Sequence, residues 1–148
     1  MSEASLELKV EKTFAADIAT VYAALTDPAM LQRWMAPGRL EVVEAVCQPV
    51  VGGQYRIVMH DPEDGSVVAT SGTFEDVRPP VRLAHTWQWD GTSEVTRVCM
   101  DLVSLPDGGT LLTLTHSRFE DAARRISHGE GWEGCLQKLA ALLDMRRI

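Results

Sequence analysis

The chain contains few basic residues and no long apolar run. Its 148 residues include 14 lysines and arginines against 21 aspartates and glutamates, so the formal charge is −7. Such a surface repels nucleic acid and anionic membranes unless a basic patch offsets it, and Arg124-Arg125 and Arg146-Arg147 are the only basic pairs. No stretch approaches the roughly 20 apolar residues of a membrane span, and the N-terminus lacks the charged-then-apolar pattern of a secretion signal. We expect a cytoplasmic protein without nucleic-acid or membrane partners.

Cysteine is also scarce, and its spacing forms no motif. Cys47, Cys99 and Cys135 are odd in number, widely spaced and free of any CxxC pair. This spacing indicates neither a disulfide framework nor a zinc site. No other run of histidines and carboxylates supplies the three or four ligands of a metal centre. We therefore expect reduced thiols, no metal and no cofactor.

Motifs of nucleophilic and phosphate chemistry are missing too. The chain has no G-x-S-x-G, and no serine or cysteine is placed predictably beside a histidine and an acid. The glycine pairs at 52–53 and 108–109 lie between predicted strands. They therefore indicate turns, because a phosphate-binding loop would open a helix. No residue can be assigned as catalytic from such motifs.

Two histidines among apolar neighbours leave one catalytic possibility open. His85 and His116 each lie on a predicted strand. Imidazole titrates near neutral pH, so two such groups at one pocket would suit general acid–base chemistry. The alternative is a structural role, as hydrogen-bonded histidines at a sheet edge or a pocket rim.

The clearest pattern that is present lies at the C-terminus. Apolar residues recur there at steps of three and four, which predicts one buried face of an amphipathic helix. The stripe consists of Trp132, Cys135, Leu136, Leu139, Leu142 and Leu143. Ser127 with Glu130 three residues later has the form of a capping box and predicts that the helix begins there.

The rest of the chain is predicted to form mainly β-strands. Alternation from Leu6 to Val10 predicts a first strand, and Asp17 and Asp27-Pro28 are start signals for two short helices. Turn sequences then separate six further segments. These are Leu40–Cys47, Gln54–His60, Ser66–Val77, Val81–Trp89, Glu94–Ser104 and Thr110–Ser117. We predict an α+β fold: a curved antiparallel sheet of about seven strands wrapped around a long C-terminal helix, with two short helices after strand 1.

Alternation along the strands predicts which side chains face the helix. The bulkier and more apolar sets are Tyr55, Ile57 and Met59, then Leu83, His85, Trp87 and Trp89, then Leu112, Leu114 and His116. If these sets face inward, they line a cavity of the aromatic and apolar composition typical of small-molecule pockets. The alternative is that they fill a solid core. Glu75 on the fourth strand would either face this cavity and pair with Arg56 or form a cross-strand ion pair at the surface.

An ordered set of short motifs resembles one known family. The motifs are Thr26-Asp27-Pro28 with Leu31-Gln32-Arg33-Trp34, Pro37-Gly38, Gly52-Gly53-Gln54-Tyr55-Arg56, Gly72-Thr73-Phe74-Glu75-Asp76-Val77 before Pro79-Pro80, Leu83 with Thr86-Trp87, Gly108-Gly109-Thr110 with Thr113-Leu114, and His128-Gly129 with Gly131-Trp132. Together they resemble the activator of the 90-kDa heat-shock protein ATPase-like family of the START-like superfamily, also called helix-grip or SRPBCC.

This resemblance covers nearly the whole chain and implies one START-like domain over residues 1–148. It implies a seven-stranded sheet that grips a C-terminal helix over an apolar cavity. The superfamily is similar across ligand carriers, polyketide cyclases and chaperone cofactors, so a function taken from the fold is an analogy.

We therefore predict a ligand cavity between sheet and helix. The predicted lining is Trp34, Tyr55, Ile57, Met59, Phe74, His85, Trp87, Trp89, Leu114, His116, His128, Trp132, Cys135 and Leu136. The first functional hypothesis is binding of a hydrophobic or amphipathic small molecule, such as a lipid, a polyketide or an aromatic metabolite. The second is a cyclase- or hydrolase-like enzyme that uses His85 or His116.

A third hypothesis is a protein-interaction module, such as a chaperone cofactor. It requires an exposed apolar patch, for which Trp34, Met35 and Pro37 are the candidates. Trp34 would otherwise close the mouth of the cavity. The sequence is compatible with a monomer or a homodimer.

Overall fold

A curved antiparallel sheet and a long C-terminal helix dominate the computed structural model, which describes residues 6–147. Within that range the chain forms seven strands and three helices. They are β1 (Leu6–Phe14), α1 (Ile18–Thr26), α2 (Pro28–Trp34), β2 (Glu41–Cys47), β3 (Gln54–His60), β4 (Val67–Arg78), β5 (Arg82–Trp89), β6 (Thr96–Ser104), β7 (Thr110–Phe119) and α3 (Ala122–Arg147). The predicted α+β architecture and element order are confirmed.

The sheet order is β1-β7-β6-β5-β4-β3-β2, and every neighbouring pair is antiparallel. The first two strands of the chain are therefore its opposite edges, and α1 and α2 connect them. Register shifts occur in β1 between Leu6 and Leu8, in β2 between Val42 and Glu44, and in β4 after Phe74. Such bulges increase local twist and help the sheet to curl around α3.

The two short helices begin where the sequence predicts. Asp17 caps α1 by accepting a hydrogen bond from the Thr20 amide at 2.9 Å. Asp27 caps α2 by accepting one from the Ala29 amide at 2.9 Å, and Pro28 occupies the first helical position. Both caps satisfy amide groups that a helix leaves without partners at its N-terminus.

The predicted start of α3 is wrong. The helix begins at Ala122, where the Asp121 carboxylate accepts a hydrogen bond from the Arg124 amide at 2.7 Å. Ser127 and Glu130 lie one to two turns further on, as exposed residues inside the helix. The predicted apolar stripe is confirmed as the buried face: Trp132, Cys135, Leu136, Leu139, Leu142 and Leu143.

The inward faces of the strands are confirmed at their centres, where Tyr55, Ile57, Leu114 and His116 are buried. The pairing of Glu75 with Arg56 is wrong. The exposed Glu75 carboxylate instead accepts a hydrogen bond from Arg97 on β6 at 2.8 Å.

Arg56 pairs with Asp90 at 2.9 Å. Arg56 lies opposite Ser71 on β4, four residues before Glu75, and donates to the Ser71 hydroxyl at 2.7 Å. The surface alternative for Glu75 is therefore the correct one.

Three further expectations concern thiols, metals and membranes. All three cysteines are buried and free. Among the described residues no cluster of three histidine, cysteine or acidic side chains could hold a metal ion. None of the helices in residues 6–147 combines the length and the apolar character needed to cross a bilayer.

Candidate functional site

An apolar cavity of about 330 Å³ lies between the sheet and the first half of α3. Its wall combines the loop after α2, the strands β3 to β5 and one face of α3. The lining residues are Met35, Pro37 and Leu40; Met59, Val68, Trp87 and Trp89; and Ser127, His128, Gly131, Trp132 and Cys135. The volume lies within the range of small-molecule pockets.

The cavity runs from an exposed mouth to a buried floor. Val68 and Ser127 are exposed and mark the mouth, whereas Met35, Trp87 and Trp132 are each at most 3% exposed and form the floor and inner walls. Among the described lining residues none carries a charged side chain. The Cys135 thiol is uncharged at neutral pH because burial raises its pKa to about 12.

Indole groups provide most of the aromatic wall. The ring centroid of Trp87 lies 5.2 Å from that of Trp132 and 5.6 Å from that of Trp89. The Trp132 indole donates to His116 Nδ1 at 3.0 Å, and the Trp89 indole donates to His128 Nε2 at 2.9 Å. Trp87 differs from both: in residues 6–144, its Nε1 is the one buried side-chain nitrogen or oxygen without a hydrogen-bond partner.

His116 lies behind the wall in a chain of hydrogen bonds that fixes its protonation state. An indole N–H can only donate, so His116 Nδ1 accepts from Trp132. The Thr96 hydroxyl donates its proton to the Trp87 carbonyl at 3.1 Å, so the 2.7 Å contact requires His116 Nε2–H to donate to Thr96. Burial lowers the pKa of His116 to about 2, which agrees with a neutral ring with both nitrogens engaged.

His128 is held in the other neutral tautomer. Its Nδ1–H donates to the carbonyl of Arg124, one turn earlier in α3, at 2.7 Å. Its Nε2 accepts from Trp89, so neither nitrogen is left for a ligand. This bond fastens α3 to β5 at the side of the cavity.

His85 is a core residue outside the cavity wall. Its ring stacks on Tyr55 with centroids 4.1 Å apart, and its Nδ1–H donates to the Thr86 carbonyl at 2.8 Å. Burial lowers the pKa of His85 to about 4. The ring is therefore neutral at physiological pH.

The structure brings six of the predicted lining residues to the cavity and packs eight elsewhere. The six are Met59, Trp87, Trp89, His128, Trp132 and Cys135. The other eight are buried in the surrounding core: Trp34, Tyr55, Ile57, Phe74, His85, Leu114, His116 and Leu136. Trp34 does not close the mouth, because its indole donates to the Ala24 carbonyl at 3.0 Å and joins α2 to α1.

Sequence reasoning missed the part of the wall that precedes β2. We call residues 35–40 the rim loop; it contributes Met35, Pro37 and Leu40. Lys138 of α3 donates to the Ala36 carbonyl on one side of the loop. The Pro37-Gly38 pair predicted a helix end and gave no sign of a pocket wall.

An ion pair holds the other side of the rim loop. Arg39 binds both carboxylate oxygens of Asp61, with the shortest contact at 2.8 Å. Asp61 also accepts from the Glu63 amide. The Arg39 hydrogen bond is the main reason that the pKa of Asp61 is lowered to about 2.

The remaining missed residues are Val68, Ser127 and Gly131. Val68 is on the inward face of β4, opposite Met59 of β3. Ser127 and Gly131 face the cavity from the segment of α3 that carries no continuous apolar stripe. A prediction based on apolar periodicity does not select them.

A curved antiparallel sheet closed on a C-terminal helix, with an apolar cavity between them, defines a helix-grip protein. The chain belongs to the family of Activator of Hsp90 ATPase homolog 1-like proteins, whose model matches residues 15–144. The resemblance found in the sequence is thereby confirmed.

Solved structures of similar proteins share this fold. The AHSA1 protein of Silicibacter pomeroyi is 28% identical, with a TM-score of 0.86 over 95% of this chain and 99% of its own. A protein of Rhodobacter sphaeroides is 28% identical, with a TM-score of 0.85 over 94% and 92% of the two chains. CalU16 of Micromonospora echinospora is 26% identical, with a TM-score of 0.72 over 97% and 80%. Among curated proteins none matches the chain.

Proposed function

We propose that the protein binds a small, mainly apolar molecule in the cavity between its sheet and α3. The supporting observation is a cavity of about 330 Å³ that is lined by three indoles and by no charged side chain of the described residues. Burial of roughly 200 Å² of apolar ligand surface contributes about 5 kcal/mol before the costs of association. Micromolar binding then requires good shape complementarity and a small number of hydrogen bonds.

The histidines favour binding over catalysis. A general base needs a nitrogen with a free lone pair within reach of the substrate. His85 and His116 lie outside the cavity wall. Both nitrogens of His116 and of His128 are engaged in the hydrogen bonds described above.

Two of the three residues suggested for a protein interface are buried, and the third, Pro37, is partly exposed. Trp34 and Met35 are each only 1% exposed. Their burial supports a ligand-binding protein over an interaction module.

The binding proposal can be tested with the neutral fluorescent probe N-phenyl-1-naphthylamine. We expect saturable binding by the wild type and loss of binding in Gly131→Leu, because the new side chain would occupy the cavity. Glu130→Leu is the matched control, since it adds the same side chain at an exposed position of the same helix. Equal fluorescence enhancement by all three proteins would place the probe on the surface and contradict the proposal.

Native mass spectrometry of the protein purified from its own host addresses the natural ligand. A stoichiometric small molecule, released on denaturation and absent from Gly131→Leu, is the expected result. A molecule retained equally by Gly131→Leu would contradict binding in this cavity.

A further inference from the structure

The hydrogen-bond donors of the cavity wall are unequally used. The indole groups of Trp89 and Trp132 each donate to a histidine, at 2.9 Å and 3.0 Å. Trp34, outside the wall, donates to a backbone carbonyl. Among the side chains of residues 6–144, only that of Trp87, which is 3% exposed, keeps a buried N–H without a partner.

Leaving a buried donor unpaired is costly, and the chain avoids it at the other three tryptophans. Neither neighbouring histidine accepts from Trp87: His116 uses both nitrogens in the chain to Thr96 and Trp132, and His85, whose ring centroid lies 6.2 Å away, makes no hydrogen bond with the Trp87 indole. Trp87 itself lines the cavity. An atom of a bound molecule is therefore the natural partner for its N–H.

The remaining wall restricts the chemistry of that molecule. No charged side chain of residues 6–144 lines the cavity, and the Cys135 thiol stays protonated. A carboxylate or phosphate would lose its hydration without a compensating cation, and the chain carries a formal charge of −7. A neutral acceptor such as a ketone carbonyl avoids this cost.

We infer that the ligand of this cavity is an uncharged, mainly apolar molecule with a carbonyl-type acceptor that pairs with the Trp87 indole N–H. The aromatic walls suit a planar ring system next to that carbonyl. This inference rests on the proposed function and adds to it the polarity of the ligand and the residue that recognises it. Trp87 is thereby a specificity-determining residue.

The test compares two probes that differ in one group: indane and 1-indanone, in which a ketone replaces a methylene. Both are titrated into ¹⁵N-labelled protein, whose four tryptophans give four indole N–H signals assigned through single Trp→Phe variants. We expect 1-indanone to move the Trp87 indole proton downfield, as hydrogen bonding to a carbonyl does. Indane should perturb signals of the cavity wall without this downfield change.

Affinities of variants provide the second readout. Trp87→Phe keeps an aromatic ring but removes the donor, so the affinity ratio of 1-indanone to indane should fall about ten-fold. Trp34→Phe is the control: Trp34 lies outside the cavity wall and its N–H is already bound to the Ala24 carbonyl, so this variant should leave that ratio unchanged. Indane binding and the amide spectrum of each variant report whether the variant is folded.

The possible failures can be told apart. If both probes bind at the cavity but Trp87→Phe leaves their affinity ratio unchanged, the inference about Trp87 is wrong and the binding function stands. If neither probe perturbs any residue of the cavity wall, the binding function and the inference are both wrong.

Discussion

Residue by residue, the hydrogen bonds around His116 explain why a buried histidine is stable in an apolar core. The ring accepts from Trp132 and donates to Thr96, and the Thr96 hydroxyl donates onward to the Trp87 carbonyl. This chain joins β5, β6, β7 and α3 behind the cavity wall. We therefore regard His116 as a structural residue that positions two of the cavity indoles.

Removal of the Thr96 hydroxyl tests this role. Thr96→Val keeps the shape of the side chain but leaves His116 Nε2–H without an acceptor. We expect the free energy of unfolding to fall by about 1–3 kcal/mol, measured by urea denaturation. Thr113→Val is the control: the Thr113 hydroxyl makes only a 3.5 Å exposed contact with Glu11, and its loss should change stability by less than about 0.5 kcal/mol. Equal losses would contradict the hydrogen-bond chain.

The two neutral core histidines predict a pH dependence. Burial lowers the pKa of His85 to about 4 and that of His116 to about 2, from 6.5. Below pH 6.5 the unfolded chain therefore binds protons that the folded chain does not, and stability falls as the pH falls. Each histidine contributes up to about 1.4 kcal/mol per pH unit.

The pH range over which stability is lost distinguishes these histidines from the carboxylates. Between pH 6.5 and about pH 4 the two histidines lower the stability, whereas Asp61, whose pKa is lowered from 3.8 to about 2, loses its contribution only below about pH 4. Urea denaturation at about pH 7 and about pH 5 measures the effect, and proton uptake on unfolding provides an independent check. A free energy of unfolding that stays constant between these two pH values would contradict the prediction.

Among the elements, α3 shows what local signals can predict and what they cannot. Its second half, from Trp132 onward, has a continuous buried stripe, so its helical state and buried face followed from periodicity. Its first half is mostly exposed and includes Gly129 and Gly131, so no stripe marked the true start. The Ser127-x-x-Glu130 pattern has the sequence of a capping box but lies inside the helix, which begins after Asp121.

Glycine substitutions in α3 and β4 should have opposite effects. At Gly134 an added Cβ would lie 3.6 Å from Pro37 Cβ, an ordinary contact. Gly134→Ala should therefore stabilise the protein by about 0.5–1 kcal/mol, because alanine is the better helix former.

Gly72 in β4 provides the contrast. An added Cβ there would lie 1.8 Å from the Thr86 carbonyl oxygen, which is backbone and cannot move away easily. Gly72→Ala should lower the thermal midpoint, whereas Gly134→Ala should raise it. A lower midpoint for Gly134→Ala would show that the contact with Pro37 is tighter than the structure indicates.

For the molecule as a whole, the position of the cavity depends on contacts between segments that are distant in the sequence. Alternation correctly placed Tyr55, Ile57 and Leu114 inside, but it could not show that these side chains pack solidly while Trp87 and Trp89 border empty space. That difference depends on how far α3 and the rim loop stand from the sheet. The loop's anchors, Lys138 and Asp61, are distant from it in sequence.

The two anchors of the rim loop predict how a ligand leaves. Lys138 ties the loop to α3, and Asp61 ties it, through Arg39, to the turn after β3. Arg39→Met removes the second tie but keeps a long side chain, so the loop should open more often and N-phenyl-1-naphthylamine should dissociate a few-fold faster. Stopped-flow fluorescence measures this rate.

The control is Arg78→Met, which removes an exposed ion pair with Asp76 on β4 outside the cavity wall. It should leave the rate unchanged. Equal rates for wild type and Arg39→Met would place the exit route elsewhere, at the exposed mouth between Val68 and Ser127.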